Sequence, residues 1–569
     1  MYFRKLAAPT LQRVTVSSFH GLDRREGAAA GTAARMENLC ADSYPALQVR
    51  PRRLSVASLT APGGLAARES LIWVEGSTLY VNGLATGLTL SQGEKQLVSM
   101  GAYLVIFPDK MWLNLRDMTQ FGHLENTVVT AGEVSFSLCR GDGSPWGDYT
   151  VSDDAPQQPQ EGALWLSGGE GVLYRFADGV WNEAADVCVK LQCPHIGAGF
   201  AAGDGVEIMG CEEGSLNGLH VLRLVEDDAL VVAGSVKGDG VQTAAVTVRR
   251  AVPEMDYVTE CGNRLWGCKY GVVDGRAVNE VYASKLGDFR NWNCFAGLST
   301  DSYAASRGSD GPFTAAVSYL GSVLFCKENC IERLYPSDSG AHRMVTLECP
   351  GVLPGCRKSV AAVDGTLYYV GRGGVYAFDG SLPVTVSAPL GGMELQNACA
   401  GVWQGRYYLS AAEGEARHLL VYDTRRRLWH EEDALHVTDF AALDGALYAL
   451  TAQGRVLALR GGEGEEEAPL SWLAETGELG FATAEHAYPM RLSLRLQMAR
   501  GATVRAALSY DGGETWQAQG GITGRGGGEA VTLHLRPRRC AHLRLRLQGT
   551  GGCTLRSVSA VYEKGSEET

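Results

Sequence analysis

Eight residues near the end of the sequence combine a carboxylate, two hydroxyls and an aromatic ring at a fixed spacing. Their fixed positions are Ser509, Asp511, Gly513, Thr515 and Trp516. Two uses are open for such a set. Asp511 could perform acid–base chemistry, or it could accept backbone N–H bonds across a tight turn while the indole packs beneath it. The segment occurs once, in a region of long alternating strands, and this favours the structural use.

The segment resembles the Asp box of sialidases and related β-propellers at every fixed position. That resemblance alone would imply a glycosidase. Cleavage of a glycosidic bond needs two positioned carboxylates, and a sialidase-like site would also need an arginine cluster and a tyrosine nucleophile. No spacing singles out a carboxylate pair, and the sequence has neither a G-x-S-x-G elbow nor a phosphate loop. We therefore expect no catalytic residues and no enzymatic activity.

The cysteines and histidines argue against a metal site. The chain has 15 cysteines but no C-x-x-C pair, and Cys193-Pro-His195 has no second pair nearby in the sequence. The N-terminal residues also lack the apolar core of a signal peptide. We expect free, buried thiols in a chain made in a cytoplasm, with no metal and no cofactor.

The charge distribution separates an acidic body from a basic N-terminal segment. A formal net charge of −13 argues against a protein whose whole surface grips nucleic acid. A short basic run is usually a solvated turn, but an arm of opposite charge could also bind a neighbouring subunit. The candidate arm residues are Arg13, Arg24, Arg25, Arg35, Arg50, Arg52 and Arg53.

Short apolar runs bounded by Gly, Asp or Asn predict an all-β fold. A turn followed by an aromatic residue and a short apolar tail recurs around Tyr80, Tyr174, Trp266, Tyr368, Tyr408 and Tyr448. The last three are spaced by about 40 residues, the length of one four-stranded propeller blade. We therefore predict a β-propeller; the alternative is a set of unrelated hairpins in β-sandwiches.

Two regions depart from this repeat. Compact hairpins near residues 193–253 predict a small β-barrel inserted into a propeller loop. Long alternating strands after an acidic, glycine-rich bridge predict a C-terminal β-sandwich. The predicted organisation is an extended arm (1–50), the first propeller part (51–192), the inserted barrel (193–253), the second propeller part (254–462) and the sandwich (463–569).

An ordered set of short motifs between about residues 255 and 390 carries a second resemblance. The motifs are 257–267, 279–284, 288–292, 301–303, 320–325, 329–335, 355–359, 367–371, 374–380 and 383–387, and segments 19–23, 36–39, 44–45 and 50–53 add to the set. Together they resemble the packaged-DNA stabilisation protein, or tail accessory factor, of short-tailed bacteriophages.

This resemblance implies a structural component at the neck or tail of a virion, assembled in the host cytoplasm. Identical subunits would form a ring that joins the portal or adaptor to tail parts such as a spike or needle. The ring would help to retain packaged DNA, with non-specific proximity to that DNA and no membrane contact. The alternative, drawn from the Asp box and the sandwich, is a phage tail protein that binds or cleaves carbohydrate.

Overall fold

A computed structural model describes residues 11–28, 30–479, 487–540 and 543–564. Over these residues the regular structure consists of 52 β-strands and three short 3-10 helices, Gly214–Leu216, Arg357–Ser359 and Ala388–Leu390. None of these helices is long and apolar enough to cross a membrane. The chain divides into two compact units. The first unit holds the described residues up to Glu94, Glu328–Cys330 and those from Glu348 onward, and the second holds Lys95–Lys327 and Ile331–Leu347.

The first unit begins with nine strands. They are β1 (Leu11–Val16), β2 (Ala33–Glu37), β3 (Leu39–Cys40), β4 (Leu47–Val49), β5 (Leu54–Ser58), β6 (Pro62–Ala67), β7 (Leu71–Glu75), β8 (Thr78–Val81) and β9 (Leu84–Thr89).

The next 24 strands belong to the part of the chain that forms the second unit. They are β10 (Gln96–Met100), β11 (Tyr103–Phe107), β12 (Met111–Asn114), β13 (Phe121–His123), β14 (Asn126–Val129), β15 (Val134–Arg140), β16 (Tyr149–Ser152), β17 (Leu164–Ser167), β18 (Leu173–Ala177), β19 (Val180–Glu183), β20 (Val187–Gln192), β21 (Gly205–Met209), β22 (Gly218–Glu226), β23 (Ala229–Ala233), β24 (Gly240–Gln242), β25 (Thr247–Arg250), β26 (Tyr257–Glu260), β27 (Leu265–Val273), β28 (Arg276–Ala283), β29 (Tyr303–Ser306), β30 (Phe313–Tyr319), β31 (Ser322–Lys327), β32 (Cys330–Tyr335) and β33 (Arg343–Glu348).

The remaining strands return to the first unit. They are β34 (Ala361–Val363), β35 (Thr366–Gly371), β36 (Gly374–Phe378), β37 (Val384–Thr385), β38 (Gln396–Trp403), β39 (Arg406–Glu413), β40 (Ala416–Asp423), β41 (Leu428–Asp433), β42 (Val437–Leu443), β43 (Ala446–Thr451), β44 (Arg455–Arg460), β45 (Glu465–Glu466), β46 (Ser471–Thr476), β47 (Ala487–Met498), β48 (Thr503–Ser509), β49 (Gln517–Thr523), β50 (Gly527–His534), β51 (Arg544–Thr550) and β52 (Cys553–Lys564).

Both units contain the four-stranded antiparallel sheets of a β-propeller. In the first unit these sheets are β6–β9, β34–β37, β38–β41 and a sheet in which β5 adds to β42–β44. The first strands of successive sheets contact each other, β34 with β38, β38 with β42 and β42 with β6. In the second unit the sheets are β10–β13, β26–β29 and β30–β33, and β26 contacts both β10 and β30. The predicted all-β propeller fold is therefore confirmed.

Two-residue turns explain why the repeats form hairpins. Asp364 and Gly365 connect β34 to β35 with φ values of 46° and 83°, and Asp444 and Gly445 connect β42 to β43 with 49° and 77°. Positive φ at both central residues is the requirement of a type I′ turn, which glycine meets without strain and aspartate tolerates. The Asp-Gly pairs of the repeat thus set the register of the blade hairpins.

The inserted domain is larger than the sequence predicted. An eight-stranded sheet in the order β14-β25-β21-β22-β23-β20-β15-β24 begins at Asn126 and ends at Arg250, and β16–β19 form a further small sheet within that span. Apolar residues from strands across the large sheet, including Leu138, Val189, Ile208 and Val248, share one core. The boundaries 51–192 and 193–253 are therefore wrong. The aromatic motif at Tyr174 predicts a blade hairpin but lies in the small sheet β16–β19 of the insert, because a hairpin pattern does not specify which sheet the hairpin joins.

The C-terminal strands form two sheets that include the N-terminal segment. One sheet has the order β3-β4-β52-β47-β50 with β1 paired to β52, and the other has the order β2-β46-β51-β48-β49. One small cavity is lined both by Leu494, which belongs to the first sheet, and by Val504, which belongs to the second sheet. Apolar side chains of the two sheets therefore meet. Residues 1–10 of the predicted extended arm (1–50), and residue 29, lie outside the described residues. Over the rest the prediction is wrong, because β1, β2, β3 and β4 complete these sheets.

Candidate functional site

The five Asp-box residues lie in the hairpin between β48 and β49. The Ser509 hydroxyl donates to Asp511 Oδ1 at 2.6 Å, and the Thr515 backbone N–H donates to the same oxygen at 3.0 Å. The Gly513 N–H donates to Ser509 Oγ at 2.8 Å, and the Trp516 indole N–H donates to the Gly513 carbonyl at 3.0 Å. Every polar group of the motif is therefore directed back into the turn, as expected of a hairpin lock.

The electrostatics of the hairpin agree with this role. Hydrogen bonds from Ser509 and Thr515 hold the pKa of the Asp511 carboxyl well below its usual value, so it stays ionised as an acceptor. The Arg546 guanidinium lies 4.0 Å from the Trp516 ring centre and covers the indole. An acceptor of such low pKa is a poor proton donor at neutral pH, so Asp511 is not a candidate general acid.

The predicted arm arginines are mostly engaged within the chain. Arg24 pairs with Glu431 at 3.1 Å, Arg25 with Asp23 at 2.7 Å and Arg35 with Glu37 at 2.5 Å, and Arg52 pairs with Glu466. Arg13 is exposed on β1. Arg50 and Arg53 are buried. The seven residues therefore do not form a continuous basic surface.

Arg50 and Arg53 belong to a buried ion network in the first unit. Arg53 contacts Glu432 at 2.9 Å and Asp433 at 2.6 Å, Arg50 contacts Glu467 at 2.5 Å, and Arg460 contacts Glu432 at 2.6 Å. Burial alone would raise the pKa of Glu432, but the surrounding arginines lower it to about 2. This network fastens the N-terminal segment to β41 and β44, which is a structural use of its charges.

A second charged cluster lies on three segments of the first unit. Glu94 is in the loop after β9, Lys358 is in the 3-10 helix before β34, and Asp439 is in β42, the first strand of its blade. The Lys358 ammonium lies 3.0 Å from Glu94 Oε1 and 2.7 Å from Asp439 Oδ1, and it donates to the Thr438 carbonyl at 3.0 Å. Arg357 contacts Glu94 Oε1 at 2.9 Å. We call Glu94, Lys358 and Asp439 the carboxylate–lysine cluster.

The two carboxyl groups of this cluster have opposite electrostatic environments. The side chain of Glu94 is 62% exposed and that of Asp439 is 16% exposed. Burial raises the pKa of Asp439 to about 6, although Lys358 opposes this. Partial burial would raise the pKa of Glu94 as well, but Lys358 and Arg357 outweigh it and lower that pKa. Neighbouring titratable groups whose pKa values are driven apart are the pattern of an acid and its ionised partner.

The sequence contained no signal for this cluster. The three residues are far apart in the chain and stand in unrelated local contexts, a Gly-Glu-Lys loop, a basic turn and a strand. These side chains come together only because the first strands of neighbouring blades contact each other, and so do the segments that lead into those strands. No carboxylate pair is recognisable from residues that are close together in the sequence. Glu94 and Asp439 form a pair only through tertiary structure, and the sequence analysis missed it.

His195, Asp227 and Asp228 form a small exposed cluster in the second unit. His195 Nδ1 lies 2.7 Å from Asp227 Oδ2, and the His195 backbone N–H donates to Asp228 Oδ1 at 2.9 Å. Their ligand atoms lie close enough together to hold an ion. Exposed acidic groups commonly lie together without one, and these groups already contact each other. All fifteen cysteines are free and buried.

No protein-family description and no curated protein matches the chain. Among solved structures, the phage phi92 endosialidase has 9% identity and a TM-score of 0.27 over 74% of this chain and 70% of that chain. A computationally designed protein, Ika8, has 11% identity and a TM-score of 0.30 over 72% and 99%. The exo-β-1,3-galactanase of Phanerochaete chrysosporium has 10% identity and a TM-score of 0.18 over 53% and 94%.

These likenesses correct one prediction. The chain was expected not to be an enzyme, but glycoside hydrolases are among the solved structures that it matches. Excluding enzymatic activity for this chain is therefore wrong. With identities of 9–13% and TM-scores of 0.30 or less, the substrates of those proteins are not assigned to this chain.

Proposed function

We propose that the protein is a glycan-cleaving β-propeller of a bacteriophage tail, with Asp439 as the general acid and Glu94 as the second carboxylate. The observation that carries this proposal is the carboxylate–lysine cluster. It combines a largely enclosed carboxyl of raised pKa with an exposed carboxylate of lowered pKa, both in contact with one ammonium.

The geometry supports a retaining mechanism. Both carboxylate oxygens contact Lys358 Nζ, at 3.0 and 2.7 Å, so they lie closer together than the sum of these distances. Retaining glycosidases separate their carboxyl groups by about 5–5.5 Å, which this limit allows. Asp439 would donate its proton to the leaving oxygen while ionised Glu94 attacks the sugar carbon. Water would then release the sugar, and Asp439 would take back a proton from that water.

Lys358 has a positioning role in this scheme. Its ammonium keeps Glu94 ionised and holds Asp439 at a fixed distance from it. Arg357 shares Glu94 Oε1 with Lys358, so both known cation contacts of Glu94 fall on one oxygen. The other oxygen, Oε2, has no hydrogen bond within the described part of the chain and can face a substrate.

The test is cleavage of surface polysaccharide from the bacterial host, measured as release of reducing ends. Glu94→Gln and Asp439→Asn should each lower the rate by about 10²–10⁴-fold, the usual contribution of a positioned acid or base. Wild-type activity should fall as the pH rises above 6, because Asp439 then loses the proton that it must donate.

Asp444→Asn is the matched control. Asp444 lies in the turn after the same strand and has a positive φ that asparagine also tolerates. This variant should cleave like the wild type. Equal activity in all three variants, or no cleavage by the wild type of any host polysaccharide, would refute the proposed function.

A second candidate is the structural role at the neck or tail of a virion. The ordered motifs between residues 255 and 390 favour it, because they fall on the propeller sheets from β26 to β37, as the resemblance implies. A ring with portal or adaptor partners would then be found in purified particles. Cryo-electron microscopy of virions tests this role, and a chain missing from the neck and tail would exclude it.

A further inference from the structure

The outer face of the sheet β2-β46-β51-β48-β49 carries a shallow cleft. The cleft has a volume of about 410 Å³ and is lined by Arg505, Ala506, Ala507, Ala518, Gly520, Gly521, Arg546 and Gln548. Arg505 lies opposite Gln548 in the strand register, and Ala507 lies opposite Arg546. The two arginines are therefore diagonal neighbours across β48 and β51, within reach of one small ligand.

The charges on this face do not balance. Three guanidinium groups stand on its two central strands, those of Arg505, Arg544 and Arg546. Arg546 pairs with Glu475 at 2.8 Å. In the ranges that the structure describes, neither Arg505 nor Arg544 has an ion-pair partner, and Arg544 Nε is buried without a hydrogen bond. Of these two arginines only Arg505 lines the cleft, and an arginine without a counter-charge is the chemistry of an anion site.

The floor of the cleft is kept low by small residues. Ala507 and Ala518 face each other across β48 and β49. A Cβ atom on Gly521 would lie 2.9 Å from the Val504 carbonyl oxygen, and Gly520 has a φ of +133° that favours glycine. The strands therefore expose backbone and methyl groups between the polar side chains. A sugar ring has apolar C–H faces and polar edges, so it matches a floor of this kind with Arg505 and Gln548 at its rim.

We propose that this cleft binds an acidic glycan, with Arg505 gripping a carboxylate or phosphate group and Gln548 accepting or donating to a neighbouring hydroxyl. Arg546 is held by Glu475 and by its contact with the Trp516 ring, so its guanidinium group is fixed in place beside the cleft although Glu475 already balances its charge. In this arrangement the Asp box supports the cleft by positioning Trp516. The site is separate from the carboxylate–lysine cluster, and the proposal does not depend on glycan cleavage.

The experiment measures equilibrium binding of the full chain by calorimetry. The probes are an oligogalacturonate for the carboxylate source, a poly(glycerol phosphate) for the phosphate source and neutral dextran as a reference. Wild-type protein should bind at least one acidic polymer and not dextran, and binding should weaken at high salt. Arg505→Ala should weaken binding by about tenfold or more, the usual effect of losing a charge-assisted hydrogen bond.

Two further variants make the result specific to the cleft. Ala518→Trp should abolish binding by filling the cleft, and it should fold normally because Ala518 is exposed. Arg525→Ala removes the same charge from an exposed loop of the same two-sheet region and should leave binding unchanged. The proposal is overturned if no acidic polymer binds, if dextran binds equally well, or if Arg505→Ala and Arg525→Ala have equal effects while circular dichroism is unchanged.

Discussion

The buried ion network and the carboxylate–lysine cluster use the same residue types in opposite ways. In the network, Glu432 is 1% exposed and contacts Arg53 and Arg460 at 2.9 and 2.6 Å, so its charge is balanced on both oxygens. In the cluster, Lys358 contacts two carboxylates, and one of these, Glu94, is 62% exposed. Buried charges that are fully balanced by ion pairs indicate a structural role. An exposed carboxylate beside a buried one can still contact a substrate and react with it.

The pKa values express the same difference. The arginines lower the pKa of Glu432 to about 2 despite its burial, so folding favours its ionised form. Burial raises the pKa of Asp439 to about 6 despite Lys358, so folding favours its protonated form. Folding therefore shifts the pKa values of two carboxyl groups in neighbouring blades of one unit in opposite directions.

Removing one charge from the network should give the largest effect. Glu432→Gln removes the fully buried charge that Arg53 and Arg460 share and leaves them only the more exposed Asp433 and Asp42, so we expect the free energy of unfolding to fall by about 3–5 kcal/mol. Denaturant unfolding of the purified protein measures this loss. Glu466→Gln is the control, since Glu466 pairs with Arg52 where both side chains are 40–50% exposed, and it should cost less than about 1 kcal/mol. Similar losses in the two variants would contradict the assigned role of the network.

The same kind of substitution in the cluster should behave differently. Asp439→Asn removes a carboxylate that folding does not favour in its ionised form, while Lys358 keeps Glu94 as a partner. At pH 7 the free energy of unfolding should stay the same or rise by up to about 2 kcal/mol. Between pH 6 and 4 the folded wild type binds more protons at Asp439 than the unfolded chain does. The contribution of Asp439 to the free energy of unfolding therefore increases as the pH falls.

The advantage of Asp439→Asn should therefore shrink between pH 7 and pH 4. His430 acts in the opposite sense, because burial lowers its pKa to about 4 and the unfolded chain takes up the proton first. That contribution is common to wild type and variant and cancels in their difference. Denaturant titrations of both proteins at pH 7, 5.5 and 4 provide the measurement. A difference that grows on acidification would contradict the environment assigned to Asp439.

The sequence could predict the features that depend on residues close together in the chain, but not those that depend on contacts between distant residues. The Asp-Gly turns and the recurring aromatic residues are local signals, and they predicted propeller hairpins at Tyr368, Tyr408 and Tyr448 that lie in blade sheets. The motif at Tyr174 has the same local signal but pairs within the insert, because strand partners are chosen by tertiary packing. The arginines of residues 1–53 suggested an extended arm that binds a neighbouring subunit. The buried partners of Arg53 lie 379 or more residues away in the chain and carried no local signal.

The Asp box should give the smallest effect and provides a third comparison. Asp511 is exposed, and its carboxylate accepts from the Ser509 hydroxyl and from the hydroxyl and backbone N–H of Thr515, all within one hairpin. Asp511→Ala should lower the melting temperature slightly, because only this turn loses its acceptors, and Asp511→Asn should lower it less because one oxygen remains. Glycan cleavage should be unchanged in both variants. Binding of oligogalacturonate should weaken only as far as the Trp516 ring moves, which its fluorescence spectrum reports. A complete loss of cleavage in Asp511→Asn, with the melting temperature unchanged, would move the catalytic role from the carboxylate–lysine cluster to the Asp box.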